Sequence, residues 1–317
     1  AGILFVGREK VILAVDGRYT IQAASETSGC EIIEFRDTLQ GIAGVVCDLQ
    51  PDSVGFEAPA ISFDSYTKLK ENIGYVALIP LPDGFDSLRI IKEKKEIDCL
   101  KKAASISADA LLETMKTIRP GVKERDIALD LEFRMGKGGG EKPSFETIVA
   151  SGRHAALPHA KPRFCGIEHG DFVIIDYGTV YKGYHSDETC TLAVGEVTEE
   201  QKKIYGIVKD AHDRALDAVK AGKRCKDIDA EARNYIEEEG YGQFFPHGTG
   251  HGVGLDIHET PKISKESNGY LEEGMVVTIE PGIYIPEVLG VRIEDMALVQ
   301  KDGCEILTRI SKDLIIL

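Results

Sequence analysis

Residues 172–189 read Phe172-Val-Ile-Ile-Asp-Tyr-Gly-Thr-Val-Tyr-Lys-Gly-Tyr-His-Ser-Asp-Glu-Thr189. The opening apolar run, ending at Asp176, is the pattern of a buried strand. Gly178–Lys182 offers a turn and Gly183–Ser186 begins a return, so the segment predicts a hairpin with Asp176 and Asp187 on neighbouring strands. Residues at matched height on paired strands can point to one face. A single aspartate at a strand end is ordinarily a turn or cap residue. Two of them together are different, because close like charges raise each other's pKa and resist ionisation. The pair needs a counter-charge, and the rest of the chain supplies its setting.

Three more segments belong with it. His247-Gly-Thr-Gly-His-Gly-Val-Gly-Leu-Asp-Ile-His-Glu259 packs three of the chain's eight histidines among four glycines. Glycine lets backbone approach a ligand closely. The pattern is not H-E-x-x-H, which argues against a single-zinc helix. Thr278-Ile-Glu-Pro-Gly282 places Glu280 just before a strand breaker, and Val291-Arg-Ile-Glu-Asp295 sets Glu294 between apolar neighbours. An inward carboxylate on a sheet is costly unless paired or metal-bound. The plain reading of Glu294 alone is an ion pair with Arg292. Taken together, Asp176, Asp187, Glu280 and Glu294 balance the charge of two divalent cations, and His251 adds an imidazole. Such a donor set suits Mn²⁺, Co²⁺, Zn²⁺ or Fe²⁺.

Composition narrows the classes. A chain of 317 residues suggests about two domains. A net charge of −15 argues against nucleic acid or a membrane surface as partner. No apolar run approaches the ~18 residues that span a bilayer. Seven cysteines, widely spaced and without C-x-x-C, read as reduced thiols of a cytoplasmic protein.

Residues 1–85 read as a small α/β unit, with strands at Ile3–Val6, Val11–Val15, Glu31–Phe35 and Ser53–Phe56 and a helix from Thr20. Pro80-Leu-Pro-Asp-Gly84 marks a boundary, since neither helix nor central strand tolerates it. In residues 86–317, Ile97, Leu100, Ala104, Ala108, Leu111, Met115 and Ile118 form an amphipathic helical stripe. Helices are predicted at Glu124–Met135, Glu199–Ala221 and Lys226–Glu239. Gly136–Gly140 is a loop rather than a phosphate loop, because no G-x-x-x-x-G-K-[ST] follows. Strands are predicted at Thr147–Ser151, Phe172–Tyr177, Glu188–Val194, Val276–Ile279 and Arg292–Val299. Paired strands without a helix after each one predict an α+β fold.

These settings resemble the "pita-bread" metallopeptidases, which include methionine aminopeptidase, aminopeptidase P and prolidase. His247–Glu259 is similar to the proline-peptidase form, and Asp16-Gly-Arg-Tyr19 to the N-terminal domain of that branch. The resemblance implies a C-terminal pita-bread domain over 86–317 and a creatinase-like α/β domain over 1–85. It also implies that residues precede Ala1, since the N-terminal domain is short for the branch. Asp176 is expected to bind one metal, His251 and Glu280 the other, with Asp187 and Glu294 bridging two divalent ions, Mn²⁺ or Co²⁺ foremost. Water shared by the ions, its pKa lowered, would attack the peptide carbonyl. His159 and His258 match histidines that assist the substrate, and Glu280 is the candidate proton shuttle. His247, Tyr284 and Arg292 match supporting positions. The family often has arginine where Cys190 stands. The expected activity is hydrolysis of Xaa-Pro bonds in short peptides, as dipeptidase or aminopeptidase, in a cytoplasmic homodimer. Methionine aminopeptidase activity, a metal-free creatinase-like hydrolase and a binding module on the same fold are the alternatives.

Overall fold

The computed structural model describes residues 2–81 and 85–317. The chain divides into two compact units, residues 1–87 and 88–317.

In the first unit β1 (Gly2–Val6), β2 (Val11–Val15), α1 (Thr20–Glu26), β3 (Glu31–Glu34), α2 (Thr38–Leu49), β4 (Ser53–Glu57), α3 (Phe63–Ile73) and β5 (Ala77–Leu81) follow in order. β2 pairs antiparallel with β1 and parallel with β3, while β4 and β5 form a parallel pair. Ala14, Ile42, Ala43, Val46, Leu69 and Ile73 make its core. Pro80 departs from expectation by lying inside β5. In a two-stranded sheet both strands are edges, where a proline's missing N–H is tolerated. Pro82–Gly84, the rest of the expected boundary, lie outside the described residues. The helices α2 and α3 lack a counterpart in the sequence reading. Asp37 and Ser62 cap them by accepting hydrogen bonds from backbone N–H groups of their first turns.

α4 (Asp86–Arg89) is a single turn at the unit boundary. The second unit then runs α5 (Lys94–Met115), α6 (Glu124–Lys137), β6 (Ile148–Ser151), β7 (Phe172–Tyr177), β8 (Val180–Tyr181), β9 (Tyr184–His185), β10 (Glu188–Ala193), α7 (Glu199–Asp217), α8 (Cys225–Glu238), β11 (Gly250–Gly252), β12 (Glu259–Ile263), β13 (Val276–Ile279), β14 (Gly282–Ile285), β15 (Leu289–Arg292), β16 (Asp295–Gln300) and β17 (Gly303–Ile306). One sheet has the order β10-β7-β6 and another β12-β11-β13-β16-β17; β14-β15 and β8-β9 are hairpins. The stripe on α5, with α6, packs on Val173, Ile175 and Leu192 of the first sheet. α7 and α8 pack on Val277, Ile279, Ala297 and Val299 of the second. Each half is thus a sheet covered by a helix pair. Among the described residues, no helix is long and apolar enough to cross a membrane.

The expected strand Arg292–Val299 is broken. Residues up to Arg292 pair with β14, and residues from Asp295 pair with β13. Ile293 and Glu294 occupy the crossing between the two partners, which frees Glu294 from the ladder.

Candidate metal centre

The hairpin forms as expected. β7 and β10 are antiparallel, with Asp176 opposite Thr189 and Asp187 just ahead of β10. β11 is squeezed between β12 and β13. A Cβ at Gly250 would collide with the Thr278 carbonyl oxygen, and one at Gly252 with that of Thr260. Those two glycines let β11, and His251 with it, fit between β12 and β13. Glu280 follows β13, its N–H donating to the Thr249 carbonyl at 2.8 Å.

The carboxylates converge. Ligand atoms of Asp187, His251 and Glu294 all lie within 4.8 Å of one another. His251 Nε2 stands 3.6 Å from Asp187 Oδ2 and 3.4 Å from Glu280 Oε1. Asp176 joins through Arg292, whose Nη2 donates to its Oδ2 at 2.6 Å. Its other oxygen, Oδ1, is buried without a hydrogen-bond partner among the described residues.

Burial first, then the neighbouring Glu294, Asp176 and Glu280, push Asp187 well above the usual carboxylate range. Burial, then Glu280 and Asp176, does the same to Glu294. Burial also raises Glu280, with His247 and Arg292 opposing. Burial lowers the His251 pKa and so favours the neutral ring. Its Nδ1 lies 2.9 Å from the Gly252 carbonyl. A carbonyl only accepts, so the proton is on Nδ1 and Nε2 carries the lone pair towards the carboxylates. Repelling buried carboxylates, an orphaned carboxylate oxygen and a ligand-ready imidazole fit divalent cations, hard ions that take oxygen and imidazole donors.

Around this cluster runs a chain of polar contacts. His247 Nδ1 donates to the Gly248 carbonyl at 2.8 Å, so its Nε2 accepts from the Tyr284 hydroxyl at 2.9 Å. That hydroxyl accepts from Arg292 Nη1 at 2.8 Å. Arg292 also donates to the Pro158 carbonyl and to Thr189 Oγ1. Burial pushes the Tyr284 hydroxyl up to about 12, against the pull of Arg292. His258 packs edge-on against His251 with ring centroids 4.4 Å apart. His159 is exposed and is an electrostatic neighbour of both His247 and His258. The expected site residues therefore gather in one region, and among the described residues the tight metal-ligating group is Asp187, His251 and Glu294. A cavity of about 670 Å³ opens beside His247, bordered by Phe245, Pro246 and Gly248.

Sequence reasoning passed over Thr189. Its hydroxyl donates to Glu294 Oε2 at 2.7 Å and accepts from Arg292 Nε, so it fixes both. It also passed over Asp229 on α8, which accepts from the N–H and hydroxyl of Thr249, and Arg233, which donates to the His247 carbonyl. A lone threonine on a strand or an Asp/Arg pair four apart on a helix carries no signal of its own.

Residues 98–301 match the profile of Metallopeptidase family M24, and residues 1–91 match the Creatinase/Prolidase N-terminal domain. The chain belongs to metallopeptidase family M24. It is similar to an Xaa-Pro dipeptidase of Pyrococcus furiosus, 44% identical over 99% of this chain and 88% of that one. A solved Xaa-Pro dipeptidase from Bacillus anthracis superposes with a TM-score of 0.97 at 43% identity, covering 100% of this chain and 89% of that one. The X-Pro aminopeptidase from Thermotoga maritima gives 0.93 at 38% identity, covering 100% and 90%. The pita-bread fold and the creatinase-type N-terminal domain expected from the sequence are thereby established, and this M24 chain is a peptidase.

Proposed function

We propose that this peptidase hydrolyses the Xaa-Pro bond of short peptides with two divalent metal ions, and that the dipeptide is its main substrate. The observation that carries this reading is the convergence of Asp187, His251 and Glu294 beside Asp176 and Glu280, four buried or part-buried carboxylates against the single positive charge of Arg292 among the described residues in contact with them. Asp176, Asp187, His251, Glu280 and Glu294 would hold the ions; the donor set suits Mn²⁺, Co²⁺, Zn²⁺ or Fe²⁺, and the family resemblance puts Mn²⁺ or Co²⁺ foremost. When bound, such ions polarise the scissile carbonyl and acidify water.

The chain's own residues do the rest. Arg292, Tyr284 and Thr189 fix Asp176 and Glu294, so the donor set is organised before substrate arrives. His258 and His159 border the cluster from the solvent side and can donate to the oxygen that gains charge as the carbonyl is attacked. Glu280, whose carboxylate stands 3.4 Å from His251 Nε2 at the edge of the cluster, would take a proton from the attacking water and give it to the leaving nitrogen. The bond formed is C–O and the bond broken is C–N, and the proton on the proline nitrogen completes the amine. A proline nitrogen before cleavage has no N–H, so recognition falls to shape and to the histidine ring rather than to a hydrogen bond at that atom.

The dipeptidase reading is supported by the similarity to Xaa-Pro dipeptidases over nearly the whole chain. A homodimer is carried over from the family. Free cysteines fit a reducing cytoplasm. The test is a panel of Xaa-Pro, Xaa-Pro-Yaa and Met-Ala-Ser peptides on metal-reconstituted enzyme. The highest kcat/KM is expected for Xaa-Pro. Preference for Xaa-Pro-Yaa would make it an aminopeptidase, and preference for Met-Ala-Ser would remove proline specificity altogether.

A further inference from the structure

Behind the carboxylate cluster lies a second group of buried charges that the chemistry above does not use. Glu188 and Asp295 directly follow Asp187 and Glu294 in the chain. Successive side chains on extended backbone point to opposite faces, and Glu188 and Asp295 turn into the core, where both are buried. Between them sits the ammonium of Lys312, 2.6 Å from Glu188 Oε1 and 3.3 Å from Asp295 Oδ1. Its side chain is only 9% exposed, so water does not screen the two pairs.

Lys312 belongs to a tail laid along β10. Ala193 N–H donates to the Ile315 carbonyl and Leu317 N–H to the Ala193 carbonyl, both at 2.9 Å. The same tail brings Ile310 N–H to Glu188 Oε1 at 3.1 Å and the Thr308 hydroxyl to Asp295. The residues matched by the family profile stop at 301, short of this tail. β10 and β16 belong to different sheets. Lys312 therefore joins the two sheets at the place where each presents one of the clustered carboxylates.

We propose that Lys312 is a positioning residue for the metal centre: by pairing with Glu188 and Asp295 it sets the spacing of Asp187 and Glu294 from behind. This rests on the reading that those two carboxylates hold metal. A tether acting on the carboxylate spacing should change metal affinity and ligand geometry. A purely structural lysine would change only stability, and a purely electrostatic one would weaken metal binding when present, since its positive charge opposes a cation.

The test uses the full chain, stripped of metal, with Co²⁺ as probe, and compares wild type with Lys312→Met and Lys312→Arg. Calorimetry reads the Co²⁺ affinity and the visible ligand-field spectrum reads the geometry. Lys312→Met is expected to bind Co²⁺ about 10-fold more weakly, with an altered spectrum. That is the low end of the ~10–100-fold range for losing a ligand's own outer partner, because Lys312 acts one residue removed, through Glu188 and Asp295. Lys312→Arg is expected to return both towards wild type. Because Lys312→Met strands two buried carboxylates, Lys312→Met combined with Glu188→Gln is measured as well, and should show the same weakening. Unchanged or tighter Co²⁺ binding in either Met-containing variant, with wild type binding normally, overturns the proposal. Failure of wild type to bind Co²⁺ at all would instead overturn the metal reading on which it stands.

Discussion

Asp187→Asn should make the metal-free protein more stable while abolishing what metal adds. Asp187 and Glu294 are both nearly fully buried, and their ligand oxygens lie within 4.8 Å of each other. Two unit charges at that separation repel by about 3.5 kcal/mol at an effective dielectric of 20. Their raised pKa values mean that the metal-free protein already relieves part of this by holding protons. The expected gain from the substitution is therefore about 1–3 kcal/mol in chelator at neutral pH. Among the described residues no neutral donor bonds the Asp187 carboxylate, so none is lost, and the new amide can donate to Glu294. With metal the sign reverses. A ligand at a thousand times its Kd stabilises by about 4 kcal/mol, and the variant should forfeit most of that together with hydrolysis. Urea unfolding of the two proteins, each with chelator and with excess Mn²⁺, gives all four values. A variant less stable than wild type in chelator, or one that gains as much from Mn²⁺ as wild type does, would refute the reasoning.

Arg292→Lys keeps the charge but cannot reach Asp176, Tyr284 and the Pro158 carbonyl at once; Mn²⁺ affinity should fall about 10–100-fold by calorimetry. Glu124, fully buried, accepts from Ser151 and Arg163 and contacts His154, tying down the loop that carries His159. Glu124→Ala should cost about 2–4 kcal/mol, at the lower end because Arg163 regains water. Although burial works to raise it, the bonds from Arg163 and Ser151 hold the Glu124 pKa below 4.5. Its contribution is thus full above the unfolded pKa and is lost as pH falls through the folded one, so the gap between variant and wild type in urea should close on acidification. Lys92→Met strands Glu259, its buried partner at 2.7 Å and the residue after His258, and should destabilise by about 3–5 kcal/mol in the same assay.

Local signals were the legible part. The stripe on α5 and the apolar run of β7 announce their elements because every third or fourth residue, or every residue, faces a core. The clustered carboxylates were legible for another reason: Asp187 or Glu294 alone has an ordinary reading, as a turn residue or an ion pair, but four carboxylates set beside a glycine-rich histidine segment call for cations. What stayed hidden depends on distant partners. The break at Ile293–Glu294 comes from a change of pairing between β14 and β13, which no window of sequence contains. β11 is three residues long and glycine-rich, so its strand character comes wholly from its neighbours. Thr189, Arg233 and Lys312 act through contacts about 12 to 124 residues away along the chain, and as residue types they are unremarkable on a strand, a helix and a tail.

The most direct test of the two-metal account is to titrate Mn²⁺ into rigorously stripped enzyme while following hydrolysis of an Xaa-Pro dipeptide and counting bound metal. The account predicts no turnover without metal and full turnover as the second equivalent per chain is taken up. Full activity in the metal-free protein, or full activity at a single bound equivalent with no second site filled, would contradict it.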